Sequence, residues 1–200
     1  MKLSMVRVWG LVLAIVALLS GCAGGYLLDN SVQSFSSLPA LPAQPTYRFE
    51  RLPSQQQDPA QAQLEAMADG ALHQAGLRRD DANPRYSVQV SVQLQRVLSP
   101  WASPWDGWGG FGGVGWRHHH HFGLGFGFPL GRMESPWYQR EVMIIIRELP
   151  SNRAVYETRA LNAGPWMDSA TVLPAMFQAA MQGFPTPPAG PRRVDIQVGR

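Results

Sequence analysis

The sequence lacks the cysteines needed for a disulfide and shows no known catalytic motif. It contains a single cysteine, Cys22, so no disulfide can form within the chain. It has neither a Gly-x-Ser-x-Gly nor a His-Glu-x-x-His motif. The adjacent acidic residues Asp80 and Asp81 stand just before Asn83 and Pro84, a composition typical of a turn. We therefore predict that the protein is not an enzyme, with an envelope enzyme whose site is assembled from distant residues as the alternative.

The net charge of the chain is also small. Lys2 is the only lysine, and the formal net charge is +3. Without Lys2 and Arg7, which belong to the extreme N-terminus, the net charge falls to +1. A charge this small is unsuited to non-specific binding of polyanions, so we do not expect a nucleic-acid partner.

The longest apolar run lies at the N-terminus. Residues 8–19 are apolar apart from Gly10, follow the positive charges of Lys2 and Arg7, and are followed by the small residues Ser20 and Gly21. This is the pattern of a secretory signal peptide, and the run is shorter than the roughly 20 residues that a membrane-spanning helix needs. We predict that residues 1–21 are a signal peptide.

Leu19-Ser20-Gly21-Cys22 resembles the lipobox of bacterial lipoproteins. The resemblance implies cleavage before Cys22 and acylation of its thiol and new amino group. Several acyl chains on one residue make a stable membrane anchor, because each buried CH₂ contributes roughly 0.8 kcal/mol. By the same resemblance, Ala23 in place of Asp after the cysteine favours the outer membrane, with the protein facing the periplasm.

The residues after Cys22 are rich in Ser, Ala, Pro, Gln and Gly, and Pro39, Pro42 and Pro45 recur every three positions. This composition predicts that residues 22–45 are the acylated cysteine and a flexible tether. Such a coil would hold its ends on the order of 25 Å apart. The mature domain is then predicted to span residues 46–198.

Within that domain, period-two alternation predicts strands over 46–52, 86–95, 138–149, 153–161 and 194–198. The clearest is 86–95, in which apolar residues alternate with Ser and Gln. Pro150, Ser151 and Asn152 predict a turn that joins the third and fourth strands into a hairpin. The last strand is short enough to pair at a sheet edge.

Two helices are predicted from apolar stripes of 3.6-residue period. The first starts with Asp58 as cap and Pro59, and ends at Gly76. The second is capped by Ser169 or Thr171, which places Pro174 in its first turn. The stripes are Leu64, Met67, Ala68, Ala71, Leu72 and Ala75 in the first, and Leu173, Met176, Phe177, Ala180, Met181 and Phe184 in the second. His73 beside the first stripe is predicted to be exposed or half-buried.

The element order is thus β-α-β-β-β-α-β. Two helices with one apolar stripe each need a common surface, and a sheet with one solvated face supplies it. We predict an α+β two-layer sandwich in which a mixed, mostly antiparallel sheet of four or five strands carries both helices on one face.

The domain resembles the bacterial lipoprotein family of the domain of unknown function 4136. The shared features are a Tyr-x-Phe strand at Tyr47, the Gly76-Leu77 and Asp80-Asp81-Ala82-Asn83-Pro84 segments before the alternating strand, a Gly/Trp-rich loop, and a helix ending in Gly183-Phe184-Pro185. The resemblance covers about residues 46–198. It implies no activity and transfers no catalytic residue.

Residues 99–136 form a low-complexity insertion between the second and third predicted strands. They hold 10 of the 20 glycines, four phenylalanines, and Trp101, Trp105, Trp108 and Trp116. The first interpretation is a loop without packed structure, with its aromatic side chains lying on the domain. The second is that the four tryptophans contact a partner protein or the lipid interface.

A third interpretation of the insertion is metal binding. His118, His119, His120 and His121 are consecutive, and imidazole suits Zn²⁺, Ni²⁺ and Cu²⁺. In an extended chain, consecutive side chains point to opposite sides, so at most two of them share a face and the site would be weak. No other cofactor is expected apart from the covalent lipid on Cys22.

These features predict an outer-membrane-anchored periplasmic lipoprotein that acts as a non-catalytic binding or structural module of the cell envelope. Its expected partners are the membrane, through the lipid, and an envelope protein. Weak transition-metal binding is the alternative function.

Overall fold

A computed structural model describes residues 25–97, 99, 137–165 and 168–199. Its helices are α1 (Pro59–Gln74) and α2 (Ser169–Met181), and residues Pro53–Gln55 form one 3-10 turn. The strands are β1 (Tyr26–Ser36), β2 (Thr46–Phe49), β3 (Arg78–Arg79), β4 (Tyr86–Val97), β5 (Trp137–Glu148), β6 (Arg153–Pro165) and β7 (Arg192–Val198). Neither helix of these described segments is long and apolar enough to cross a bilayer.

The strands form one sheet in the order β3-β2-β4-β5-β6-β1-β7. Strand β2 is parallel to both β3 and β4, and the remaining pairs are antiparallel. The predicted mixed, mostly antiparallel α+β sandwich is therefore confirmed, with β5 and β6 as its hairpin and β7 at an edge. The sheet has seven strands instead of four or five, because β1 and β3 were not predicted.

Strand β1 corrects the prediction of a tether over residues 22–45. Residues 26–36 lie within the sheet, between β6 and β7. The strand alternates as expected, but two of its buried positions are the polar residues Asn30 and Ser34, so an apolar period is hard to recognise. The Asn30 amide donates to the carbonyls of Leu28 and Val194, both at 3.1 Å, and the Ser34 hydroxyl lies 2.7 Å from that of Thr158. The folded domain thus begins at residue 26.

Both helices pack on one face of the sheet and enclose the core. Along β5 and β6, buried residues that face the helices alternate with more exposed residues on the other face. Strand β4 contributes Tyr86, Val88 and Val90 to the same core. From the helices, the core receives Ala68, Ala71 and Leu72 of α1 and Val172, Met176 and Phe177 of α2. Each large apolar side chain buried in this layer contributes about 1.5–3 kcal/mol to folding.

The ends of α1 follow the sequence signals. The Asp58 carboxylate accepts from the Ala60 amide at 2.8 Å. At the other end Gly76 has φ +96, and the amides of Gly76 and Leu77 donate to His73 and Leu72 at 3.0 Å each. This pair of bonds is a Schellman motif, which favours glycine at the left-handed position. The helix therefore starts and stops where Asp58 and Gly76 predict.

The start of α2 differs from its prediction. The N-cap is Asp168 rather than Ser169 or Thr171, and its side chain makes no capping hydrogen bond. The backbone carbonyl of Asp168 instead accepts from Thr171 and Val172, both at 3.1 Å. Pro174 is consequently the sixth helical residue, in the second turn instead of the first.

Removing β1 should unfold the domain. A chain that starts at Leu38 loses the buried side chains of Leu28 and Val32, worth about 1.5–3 kcal/mol each, and separates β7 from the sheet. This loss is comparable to the whole stability of a typical domain. Circular dichroism during thermal unfolding should show no cooperative transition for this chain. The control is a chain that starts at Gly25, which keeps every strand. Equal melting of the two chains would contradict the role of β1.

Candidate functional site

Five strand ends lie together at one end of the sheet. They are the first residues of β1 and β5 and the last residues of β4, β6 and β7. Tyr26 pairs with Val198, while Trp137 pairs with Val97 on one side and Pro165 on the other. We call this region the Tyr26 end. The chain between Val97 and Trp137 leaves and re-enters the sheet there.

The Tyr26 end is unusually apolar for a surface. Among the described residues, six large hydrophobic side chains are exposed. Tyr26 (43% exposed) and Leu27 (55%) lie at this end, and Leu94 (47%) lies three residues inside the end of β4. Trp137 and Tyr138 are half-buried beside them. Aromatic side chains with one apolar and one wet side are typical of contact surfaces.

Arg140 lies beneath this surface, on the helix side of the sheet. It is 1% exposed, and its guanidinium carbon lies 5.8 Å from the centre of the Tyr138 ring, within cation–π distance. Burial lowers the pKa of Arg140, and Tyr26 and Tyr138 offset part of that shift. Because an arginine pKa starts so far above neutrality, Arg140 stays cationic and places a positive charge under the aromatic side chains.

Two buried asparagines hold β1 in place near the Tyr26 end. The Asn162 side chain donates to the Asp29 carbonyl at 2.8 Å and so connects β6 to β1. The Asn30 side chain connects β1 to β7 through the Val194 carbonyl. A strand paired on both sides and bonded by buried amides makes this end rigid.

A second polar cluster is buried under α1. Arg51 donates two hydrogen bonds of 2.6 Å to the Glu65 carboxylate, which is 2% exposed. Gln61 donates to Glu65 and to the Val90 carbonyl, both at 3.4 Å. Glu65 is thereby neutralised by a cation and held by an amide, which is the arrangement a buried carboxylate needs to be structural.

The Glu65 cluster was missed because the stripe predicted for α1 is slightly rotated from the observed one. Gln61 and Glu65 are buried, whereas Leu64 and Met67 are half-buried. Gln61, Glu65, Ala68 and Leu72 have the helical spacing 4, 3, 4, which was the available signal. Because Gln61 and Glu65 are polar, these positions were not recognised as the buried side of the helix.

Leu64 and Met67 line a groove of about 400 Å³ between the two helices. Val92 and Leu173 complete its apolar lining. Its rim is formed by polar groups of α1, β4 and the first turn of α2, including Gln61 and Ser169. The groove is shaped for an apolar group, but nothing in its lining supplies paired acid and base groups.

Tyr47 and Asp69 form a third polar contact, between β2 and α1. The buried Tyr47 hydroxyl donates to the Asp69 carboxylate. Burial is the main cause that raises the pKa of Tyr47, and the hydrogen bond and negative charge of Asp69 add to it. The ring also packs edge-on against Phe49. This contact fastens the short strand β2 to the helix.

The predicted site residues fall outside the described residues. This applies to the signal peptide, to Cys22, to Trp101, Trp105, Trp108 and Trp116, and to His118, His119, His120 and His121. Lipidation, interface contact and metal binding therefore stay predictions. The part of the chain that the structure describes contains no group of three or more His, Cys, Asp or Glu side chains arranged for a metal.

His73 and the acidic segment at Asp80 and Asp81 lie as predicted. His73 is exposed. The Asp80 carboxylate accepts from the amides of Ala82 and Asn83, each at 3.0 Å, so this acidic segment is a turn as predicted. Asp81 pairs with Arg79 at 3.2 Å on the surface.

The profile of a family described as "Domain of unknown function (DUF4136)" matches residues 32–186. This match agrees with the resemblance recognised in the sequence and begins inside β1. No curated protein matches the chain in sequence.

Several solved structures are similar to this chain at low sequence identity. The PelC dodecamer from Paraburkholderia phytofirmans is 11% identical, with a TM-score of 0.46 over 80% of this chain and 99% of that chain. A substituted form of that dodecamer is 13% identical, with a TM-score of 0.45 over 76% and 94%. A PDZ domain protein from Parabacteroides distasonis is 14% identical, with a TM-score of 0.46 over 86% of this chain and 39% of that chain. Similarity at this level carries no argument about function.

The Tyr47 contact predicts an effect on stability. Tyr47→Phe removes a hydrogen bond to a charged group and should lower the free energy of unfolding by about 1.5–3 kcal/mol in urea titrations at pH 7. Tyr86→Phe is the matched control, because Tyr86 is buried opposite Tyr47 on β4 and its hydroxyl makes no hydrogen bond to another described side chain. Equal losses in the two variants would contradict the assignment.

The same pair predicts a dependence on pH. The pKa of Tyr47 is higher in the folded protein than its ordinary value of 10.0, so above about pH 10 the unfolded chain releases this proton more readily than the folded one. The stabilisation is therefore complete below pH 10 and is lost as the pH rises beyond it. Tyr47→Phe should reduce this alkaline loss, measured by urea titrations between pH 8 and 11. An unchanged pH slope in Tyr47→Phe would overturn this role.

Proposed function

The chain belongs to the family of the domain of unknown function DUF4136, and we propose that it is a lipid-anchored, non-catalytic binding or structural module of the bacterial cell envelope. In this proposal Cys22 is acylated, the anchor lies in the outer membrane, and the domain faces the periplasm.

The observation that carries the proposal is the position of Cys22 relative to the fold. The lipobox-like residues Leu19 to Cys22 end three residues before the described chain starts at Gly25, and β1 begins at Tyr26. The N-terminus therefore leaves the sheet at an exposed end, where a modified residue can reach a membrane without disturbing the core. Among the described residues the core begins at Leu28, so the proposed acylation of Cys22 alters none of these core side chains.

A non-catalytic role is supported by how the described carboxylates are used. The carboxylates with the closest contacts each bind a partner that stabilises the fold. Glu65 binds Arg51, Asp69 accepts from Tyr47, and Glu50 accepts from Ser87 at 2.7 Å. Asp58 caps α1, and Asp80 stabilises a turn. A general acid or base has to be free to exchange its proton with a substrate, and these groups are committed to structural partners.

A binding role is supported by the face of the sheet that the helices leave open. Ile145 on β5 stands between Gln89 and Glu157, and Phe35 follows on β1 in the same row. Phe35 is exposed and Ile145 is half-buried. Exposed apolar side chains on an otherwise polar sheet face are a common feature of protein contacts.

The anchor can be tested by replacing Cys22. Cys22→Ser should abolish labelling by a radioactive or alkyne fatty acid and move the protein from the membrane to the soluble fraction. Its circular dichroism and melting temperature should not change, because the described core is assembled from Leu28 onward. The matched control is Ser20→Ala, which keeps the cysteine. Membrane retention of the Cys22→Ser protein would contradict the lipid anchor.

The binding role can be tested by cross-linking in intact cells. The acylated protein carrying a photoreactive residue at position 35 should form a discrete adduct with one envelope protein, and Ile145→Asp should reduce this adduct several-fold. A photoreactive residue at Leu41, which is exposed outside the sheet, is the matched control. Adducts of equal yield from both positions, or none from position 35, would count against a binding face.

A further inference from the structure

We infer that the Tyr26 end of the sheet rests on the membrane surface, with Tyr26, Leu27 and Trp137 at the level of the lipid headgroups. This orientation rests on the acylation of Cys22 proposed above. It identifies a lipid-contacting surface of the folded domain, which the anchor alone does not specify.

The chain between Cys22 and the sheet is short. Only Ala23, Gly24 and Gly25 separate Cys22 from Tyr26. Fully extended, the four steps from Cys22 to Tyr26 span at most about 14 Å. The headgroup region on each side of a bilayer is itself roughly 5–8 Å thick. An acylated Cys22 thus holds Tyr26 within or just above the headgroups.

The register of the sheet aligns the ends of several strands with Tyr26. Because Tyr26 pairs with Val198, and Trp137 with Val97 and Pro165, the ends of five strands lie side by side at this level. Asn30 and Asn162 fix β1 to its neighbours, so the anchor cannot pull Tyr26 out without the other strands following. The whole end of the sheet is therefore presented to the lipid.

The side chains at the Tyr26 end are of the types found at membrane interfaces. Tyr and Trp side chains favour the membrane interface, where one side contacts apolar chains and the other is hydrated. The Tyr26 end exposes Tyr26 and Leu27, with half-buried Trp137. Arg96, opposite Tyr138, is exposed at the same end and can meet lipid phosphates. The residues here suit a lipid surface better than bulk water.

The opposite end of the sheet then faces away from the membrane. Strand β1 has 11 residues, which at about 3.3 Å per residue place its far end roughly 35 Å away. The turn between β5 and β6, including Ser151, lies at that far end, because Ser36 pairs with Tyr156 and Glu148 with Arg153. The proposal thus predicts a steep difference between the two ends in their proximity to lipid.

The chain is well suited to a labelling experiment. Cys22 is the only cysteine, and acylation consumes its thiol, so one introduced cysteine can be labelled selectively. Leu27→Cys places an environment-sensitive fluorophore at an exposed position of the Tyr26 end, and Leu94→Cys places it at an exposed position three residues inside the end of β4. Ser151→Cys is a nearly isosteric change and provides the far-end control.

Each acylated, labelled protein is reconstituted into vesicles of phosphatidylethanolamine and phosphatidylglycerol, with or without lipids that carry a shallow nitroxide quencher. The label at position 27 should shift to the blue and be quenched several-fold more than the label at position 151. Position 94 should fall between them, because it lies further along its strand. Circular dichroism confirms that each variant is folded.

The outcomes separate the orientation from the anchor. If the protein is acylated and floats with the vesicles, but positions 27 and 151 are quenched equally or in the reverse order, the orientation is wrong and the anchor stands. If the protein is neither acylated nor floats, the proposed function fails and the orientation fails with it. Quenching that decreases from position 27 through 94 to 151 supports the inference.

Discussion

The insertion of β1 between β6 and β7 is the constraint on which the rest of the structure depends. Strand β7 touches the sheet only through β1, and the edge of β6 would be open without it. Apolar burial by Leu28 and Val32 favours this position, but the buried amide of Asn30 and the hydroxyl of Ser34 fix its register. A slip by one residue would turn these polar side chains to solvent and leave their partners unsatisfied.

The same hydrogen bonds explain where sequence reasoning succeeded and where it failed. Strand β4 and the ends of α1 were predictable, because apolar alternation and the Asp58 and Gly76 signals are local. Strand β1 and the Glu65 side of α1 were missed, because their inward positions hold polar residues. Those residues are satisfied by groups that are distant in the sequence, such as Val194 for Asn30. An apolar period cannot reveal a buried residue whose partner is known only after folding.

The candidate surface divides in a similar way. The lipobox-like segment ending at Cys22 is contiguous and could be recognised, whereas the Tyr26 end is assembled by strand pairing from five separate stretches of chain. None of Tyr26, Leu94 or Trp137 stands out in the sequence alone. Their levels in the sheet follow from the register that Asn30 and Asn162 maintain.

The short connection between Cys22 and β1 changes what the proposed anchor could do. A tether of some 24 residues would let the domain rotate freely and meet a partner from any side. Three residues attached to a strand that is paired on both sides leave little of that freedom. If Cys22 is acylated as proposed, a partner in the same membrane would meet Phe35 and Ile145 from fewer directions, so less orientational entropy would be lost when the two associate. Lipidation at this position would thus orient the binding face of the domain as well as retain it at the membrane.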